Sequence, residues 1–242
     1  MIKCVPVYIT PPYIWKGNFP VAINSIKPKV DELIQLTKDT NTSSLLEEGD
    51  AISTAGVCLQ SSHPDFNEEL NVIQPHQKEE HRDFLSYLYK CLYDIERQSY
   101  LITGSKRDYS KIKYLGDTGF LDSVYVPKDT KETVNGHFFI ERSWYNIHYK
   151  GGHTLPHDHC DTYNNGPHYL CVHFLKALDK CGGLQVREPD YVGHHANSVN
   201  KWRTLPVETG DFYIFPGWLE HKTETNKSDE ERIIMSLNIT RR

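Results

Sequence analysis

Five of the 13 histidines in this chain fall between residues 153 and 173, and the densest group is His157-Asp158-His159-Cys160-Asp161. On an extended strand alternate side chains share a face, so His157, His159 and Asp161 point one way while Asp158 and Cys160 point the other. Two or three such side chains can occupy one side of a metal ion. If the last ligand comes from elsewhere in the chain, the opposite positions stay open for a chelating molecule and for dioxygen. A distant histidine is available: the aromatic run Asp211-Phe212-Tyr213-Ile214-Phe215 ends in Pro216-Gly217 and delivers His221 at a strand mouth. Arg232 follows eleven residues later and opens the apolar strand Ile233–Leu237. An always-charged planar fork beside a metal suits a carboxylate that also chelates that metal.

These residues need a frame that brings separate strands together. From residue 136 onward the pattern is one of short strands, at 137–149, 169–175, 183–187, 204–207, 211–215 and 232–240, with Gly-Gly, Asn-Gly, Gly-Asp and Pro-Gly turns between them. The first half is different. Residues 28–38 have helical spacing, and 78–99 carry the apolar stripe Phe84, Leu85, Leu88, Leu92 and Ile95, which reads as core packing against a sheet. Residues 5–15 suggest an edge strand, 40–75 loops and turns, and 103–135 a polar insert. The expected fold is mostly β with flanking helices: a double-stranded β-helix of jelly-roll or cupin-like type. It forms one domain over 1–242, with a helical support and insert region over 1–135 and the jelly-roll core over 136–242.

The chain holds 242 residues, 27 basic against 32 acidic, for a net charge of −5. No long basic run suggests a sequence-independent grip on nucleic acid. No apolar run approaches the length of a membrane span, and the N-terminus lacks the apolar stretch of a secretory signal. The six cysteines are scattered without a C-x-x-C pair, which reads as reduced thiols in a cytoplasm. That cytoplasm would be the host cell's if a phage encodes the chain.

The ordered set of His-x-His, Gly182-Gly183-Leu184, Gly210-Asp211-x-x-x-Phe215-Pro216-x-Trp218-Leu219-x-His221, then Arg232 and Ser236-x-Asn238, resembles the 2-oxoglutarate- and iron(II)-dependent oxygenases common in bacteria and tailed phages, with prolyl hydroxylases as more distant relatives. The resemblance runs over about residues 143–239. It implies iron(II) and 2-oxoglutarate as cofactors, a dioxygenase of hydroxylase type, and His157 and His221 as iron ligands. It further implies Arg232 on the distal carboxylate of 2-oxoglutarate, with Ser236 assisting and Asn146 on the strand opposite. Two departures stand out. The usual pair is His-x-Asp, where this chain reads His157-x-His159; a literal His-x-Asp comes one step later at His159 and Asp161. The ligand set is therefore His157, His159 and His221, or else His159, Asp161 and His221. Relatives also carry a serine two residues after the arginine, where this chain has Ile234.

Blander readings apply to the rest. His148, His153, His168, His173, His194 and His195 read as structural or pocket-lining, His63-Pro64-Asp65 as a chance motif, and Trp202 and Trp218 as packing or pocket wall. Cys160 could mark a structural zinc, but no second cysteine sits at ligand spacing. Two functions from other classes remain open: a three-histidine dioxygenase that uses no 2-oxoglutarate, and an inactive metal-binding jelly-roll module. The primary substrate is left open among protein side chains, amino acids and nucleotides.

Overall fold

A computed structural model of the chain describes residues 5–6, 14–42, 46–60, 73–103, 138–159, 167–187 and 202–241. In chain order the strands are β1 (Val5–Pro6), β2 (Trp15–Asn18), β3 (Glu47–Glu48), β4 (Ala51–Ser53), β5 (Phe138–His148), β6 (His153–Thr154), β7 (Tyr169–Lys176), β8 (Leu184–Arg187), β9 (Trp202–Leu205), β10 (Asp211–Pro216), β11 (His221–Thr223) and β12 (Arg232–Arg241). The helices are α1 (Ile23–Thr40), α2 (Ala55–Gln60) and α3 (Arg82–Thr103).

Seven strands form one antiparallel sheet in the order β1-β2-β10-β7-β12-β5-β4, and β11-β8-β9 form a smaller one. The central strands read as nearly continuous apolar runs because both of their faces are covered. On β12, Ile233, Met235, Leu237 and Ile239 pack into a core shared with α1 and α3. Ile234 faces the other way, into a second core with Phe174 from β7, Leu184 and Val186 from β8 and Phe215 from β10. One core lies between large sheet and helices, the other between the two sheets. This is the double-stranded β-helix, with helices on its outer side. By the period of two, Arg232, Ser236 and Asn238 share Ile234's inward face, so one face of one strand turns from apolar to polar along its length.

The N-terminal half contributes strands as well as helices. Residues 40–75 had the composition of loops, yet β3, β4 and α2 form there. Strands of two or three residues leave no periodicity to read, and partners far along the chain create them: Glu47 pairs with Thr154, and Ser53 with Asn146. Helix α1 starts at Ile23, five residues before the expected start, and runs through Pro28. The proline removes one helical hydrogen bond, worth about 1 kcal/mol. Burying Ile26, Val30, Leu33 and Ile34 outweighs that, at about 1.5–3 kcal/mol each. A 3-10 turn, Glu79–His81, occupies the first turn of the expected helix 78–99, preceded by another at Pro75–Gln77, and the apolar stripe of α3 is buried as expected. The segment 104–137 lies outside the described residues, and with it the expected insert. Among the described residues, no helix is long and apolar enough to cross a membrane.

Candidate metal centre

The segment after β6 lies antiparallel to β11. His157 and His221 form an isolated bridge, each N–H donating to the other's carbonyl at 3.0 and 2.9 Å. The next step is fixed by His159, whose N–H donates to Gly217 O at 3.0 Å in the turn after β10. The two chain segments therefore meet at one barrel mouth with three imidazoles converging. One ring nitrogen from each of His157, His159 and His221 lies within 4.8 Å of the others, which makes them a candidate cluster for a metal ion.

The remaining ring nitrogens show which atoms are free to ligate. His157 Nδ1 lies 2.9 Å from Leu155 O, and His221 Nδ1 lies 3.0 Å from Leu219 O. A carbonyl only accepts, so both Nδ1 atoms carry the proton and both Nε2 atoms keep a lone pair. His159 Nδ1 lies 2.9 Å from Asn238 Oδ1, and its Nε2 is buried with no protein partner. A buried ring nitrogen without a hydrogen bond is costly, and three unspent Nε2 atoms facing one another are what an N-ligated iron(II) requires. Burial holds all three imidazoles in the neutral, ligating form: it lowers His159 to about 4 and also lowers His157 and, well below the usual value, His221. Trp144 stacks on His159 at 5.7 Å and Phe215 meets His221 edge-on at 5.1 Å, fixing both rings. Asp161 lies outside the described residues.

Behind the histidines lies an open-mouthed cavity lined by Asn146, Thr154, Thr223, Ile234 and Ser236 among others. Asn146 accepts from Ser53 Oγ at 2.6 Å and its amide lies 3.3 Å from Ser236 Oγ, so these two expected contact residues touch each other on the cavity wall. Arg232 is fully buried behind Thr223. Burial lowers it to about 10, so it stays cationic at neutral pH. Its N–H groups are already paired. Nη1 donates to Cys181 O and to Gly182 O, Nε and Nη2 share His148 Nδ1 at 3.1 and 3.0 Å, and Nη2 also donates to Thr223 Oγ1 at 2.9 Å. The Cys181-Gly182 carbonyls come this close because Gly182 has φ +76°, and a Cβ there would meet the Cβ of Glu224 at 2.8 Å.

Composition and motif spacing had not singled out Thr223, Thr154 or Glu47. Thr223 Oγ1 accepts from both Arg232 Nη2 and Thr154 N, each at 2.9 Å. With both lone pairs used, its own O–H is left to donate, and Thr223 lines the cavity. The alternation of β11 could have found it, since His221 and Thr223 share a face. His148 had read as structural or pocket-lining, and it carries the contact between Arg232 and Glu47: its Nε2 lies 2.7 Å from Glu47 Oε2. Trp218, expected as packing or wall, is 47% exposed beside the mouth.

Residues 142–238 match a family model described as "Putative 2OG-Fe(II) oxygenase". No curated protein matches the chain. Solved structures similar to it include a Pseudomonas putida prolyl-4-hydroxylase at 11% identity and TM-score 0.48, covering 95% of this chain and 92% of that one. Another is an oxidoreductase of the 2OG-Fe(II) oxygenase family from Burkholderia pseudomallei, at 18% identity and TM-score 0.33, covering 43% of this chain and 44% of that one. A third is HygX from Streptomyces hygroscopicus with nickel, 2-oxoglutarate and hygromycin B bound, at 11% identity and TM-score 0.34, covering 43% of this chain and 56% of that one. The chain thus spans less than half the length of the Burkholderia protein. The segment that supplies the three converging histidines, the buried arginine and most of β12 is thus the one that matches the 2-oxoglutarate- and iron(II)-dependent oxygenase family by sequence.

Proposed function

We propose that this protein hydroxylates its primary substrate at an iron(II) held by His157, His159 and His221, with 2-oxoglutarate as cosubstrate. The observation that carries the reading is the set of three imidazoles, each offering a ring nitrogen within 4.8 Å of the others, on a cavity whose lining Thr223 is hydrogen-bonded to a buried cation. Iron(II) with its chelated keto acid supplies the activation of dioxygen, one oxygen atom going to the substrate as hydroxyl and the other to succinate, with release of carbon dioxide. The protein's part is to bind and orient. The three neutral imidazoles would hold the metal, leaving the keto acid and dioxygen to complete its coordination. At the far end, the Thr223 O–H donates to the distal carboxylate. Arg232, one hydrogen bond behind it, supplies the positive charge without which a buried carboxylate is very unfavourable. Asn146 and Ser236 line the wall between. The substrate class stays open among protein side chains, amino acids and nucleotides.

The test is anaerobic binding. Iron(II) and 2-oxoglutarate added together to the apo-protein should give the weak visible charge-transfer band of the chelate. His159→Ala should lose iron. Arg232→Ala should keep iron but lose 2-oxoglutarate and turnover to succinate. If Arg232→Ala binds 2-oxoglutarate as tightly as the parent, the cosubstrate assignment is wrong. A second reading has one observation in its favour: the Arg232 donors are all taken by the protein, which a three-histidine dioxygenase without 2-oxoglutarate would equally allow. Absence of the band with iron bound would favour it.

A further inference from the structure

Arg232 is a fully buried cation with no carboxylate at ion-pair distance among the described residues. Such a charge is very costly without compensation. The nearest compensation comes through a third group. Glu47 has a side chain only 4% exposed, and its Oε2 lies 2.7 Å from His148 Nε2. The Thr154 O–H also reaches the same carboxylate, at 3.0 and 3.1 Å. The opposite ring nitrogen, His148 Nδ1, faces two guanidinium donors, at 3.1 and 3.0 Å. A guanidinium offers only donors, so Nδ1 must be the acceptor and the ring proton must sit on Nε2, where the Glu47 carboxylate takes it. A doubly protonated ring would set Nδ1–H against N–H. Only one state of His148 therefore fits: neutral, with the proton on Nε2.

We propose that Glu47 is a positioning residue for the cosubstrate pocket. By locking His148 as the Nε2–H tautomer, it fixes Arg232 in the rotamer that turns the Thr223 hydroxyl into the cavity. The chain of contacts runs Glu47, His148 Nε2–H, His148 Nδ1, Arg232 Nη2, Thr223 Oγ1 and then the ligand carboxylate. Each link uses an atom that the next link depends on. With Glu47 absent, the His148 Nε2–H is left with Thr154 Oγ1, at 2.9 Å, as its acceptor. Thr154 has then lost the carboxylate that orients its own hydroxyl, so the ring that accepts from two guanidinium donors is held less firmly. The anchor reaches the pocket from β3, two residues long and far outside the family-matched segment. The proposal rests on the oxygenase reading for the identity of the ligand, while the tautomer lock stands on geometry alone.

The experiment compares Glu47→Leu with Glu47→Gln. The glutamine carbonyl can accept the same Nε2–H without the charge. Anaerobic binding of iron(II) and 2-oxoglutarate should show iron affinity unchanged in both. The 2-oxoglutarate dissociation constant should rise about tenfold or more in Glu47→Leu and stay within about threefold in Glu47→Gln. Ring-nitrogen NMR of the unsubstituted protein, with diamagnetic zinc(II) replacing iron(II), should show His148 protonated on Nε2 alone. Its Nδ1 resonance should move when 2-oxoglutarate is added. That measurement decides the matter even if Glu47→Leu does not fold. A proton on Nδ1, a resonance indifferent to 2-oxoglutarate, or equal losses in the leucine and glutamine variants would each overturn the proposal. Arg232→Ala run alongside separates the two failures: normal 2-oxoglutarate binding there sinks the oxygenase reading, and the cosubstrate role of Glu47 with it.

Discussion

The side-chain oxygen of Asn238 stands 2.9 Å from Nδ1 of His159, and this contact turns the imidazole so that Nε2 faces His157 and His221. The other two rings are oriented by their own backbones, through Leu155 O and Leu219 O, which no substitution can remove. His159 alone depends on a side chain. Asn238→Leu keeps the shape but removes the acceptor, freeing the ring to adopt the other tautomer. Iron affinity should drop about 10- to 100-fold, the usual effect of losing a group that orients a metal ligand. Calorimetric titration with iron(II) under anaerobic conditions checks it; an unchanged affinity would show that stacking on Trp144 suffices to hold the ring.

The free proton of the Thr223 hydroxyl gives a second expectation. Thr223→Val removes the donor and also leaves Arg232 Nη2 and the Thr154 amide without their shared acceptor. A hydrogen bond to a charged group contributes about 1.5–3 kcal/mol, and each 1.4 kcal/mol is about a tenfold change. The KM for 2-oxoglutarate should rise roughly 10- to 100-fold, with iron affinity unchanged. Thr223→Ser should recover most of the loss. A valine variant with unaltered KM would place the carboxylate elsewhere.

The two ligand registers diverge sharply in mutants. With His157, His159 and His221 as ligands, Asp161→Ala should leave iron affinity within about threefold, while His157→Ala should cost it at least tenfold. With His159, Asp161 and His221, the order of the two effects reverses. The three-histidine set places no protein carboxylate on the metal, so 2-oxoglutarate must supply the negative charge. Its affinity should then depend strongly on iron being present.

Much of this arrangement was legible in the sequence because it is written in strong local patterns. The alternation around His157 and His159, the aromatic run ending at His221 and the arginine eleven residues on all follow from strand geometry. What escaped notice depends on long-range pairing. Glu47 sits in a two-residue strand with no periodicity, and its partner His148 lies 101 residues away. The use of Arg232 was legible only in part: its inward direction follows from the period of two, but which atoms meet its five N–H groups does not. Those acceptors come from the turn at Cys181-Gly182, from β5 and from β11, and only folding brings them together.

A last expectation concerns acid stability and comes from histidines away from the metal. Beneath the large sheet, His76 Nδ1 lies 2.7 Å from Ser143 Oγ, His81 Nε2 lies 2.6 Å from the Tyr145 hydroxyl, and His173 stacks on Phe84 at 3.9 Å. Burial pushes His76 and His81 down to about 4 and His173 to about 3. In the unfolded chain each would titrate near 6.5. Between those values the unfolded state binds more protons than the folded one, so stability rises with pH. Stability is therefore complete above about pH 6.5 and is lost as pH falls toward 4. Each histidine contributes about 1.4 kcal/mol per pH unit in that window, and the three together about 4 kcal/mol. Against a typical total of 5–15 kcal/mol, that is enough to unfold the protein near pH 4–5. Urea unfolding at pH 7.5, 6, 5.5 and 5 measures the slope. His173→Phe retains the ring against Phe84 but cannot titrate, so it should lower the slope by about 1.4 kcal/mol per pH unit. A slope unaffected by that substitution would mean that His173 is already protonated in the fold or never becomes so on unfolding. The acid sensitivity would then have to come from the other buried histidines.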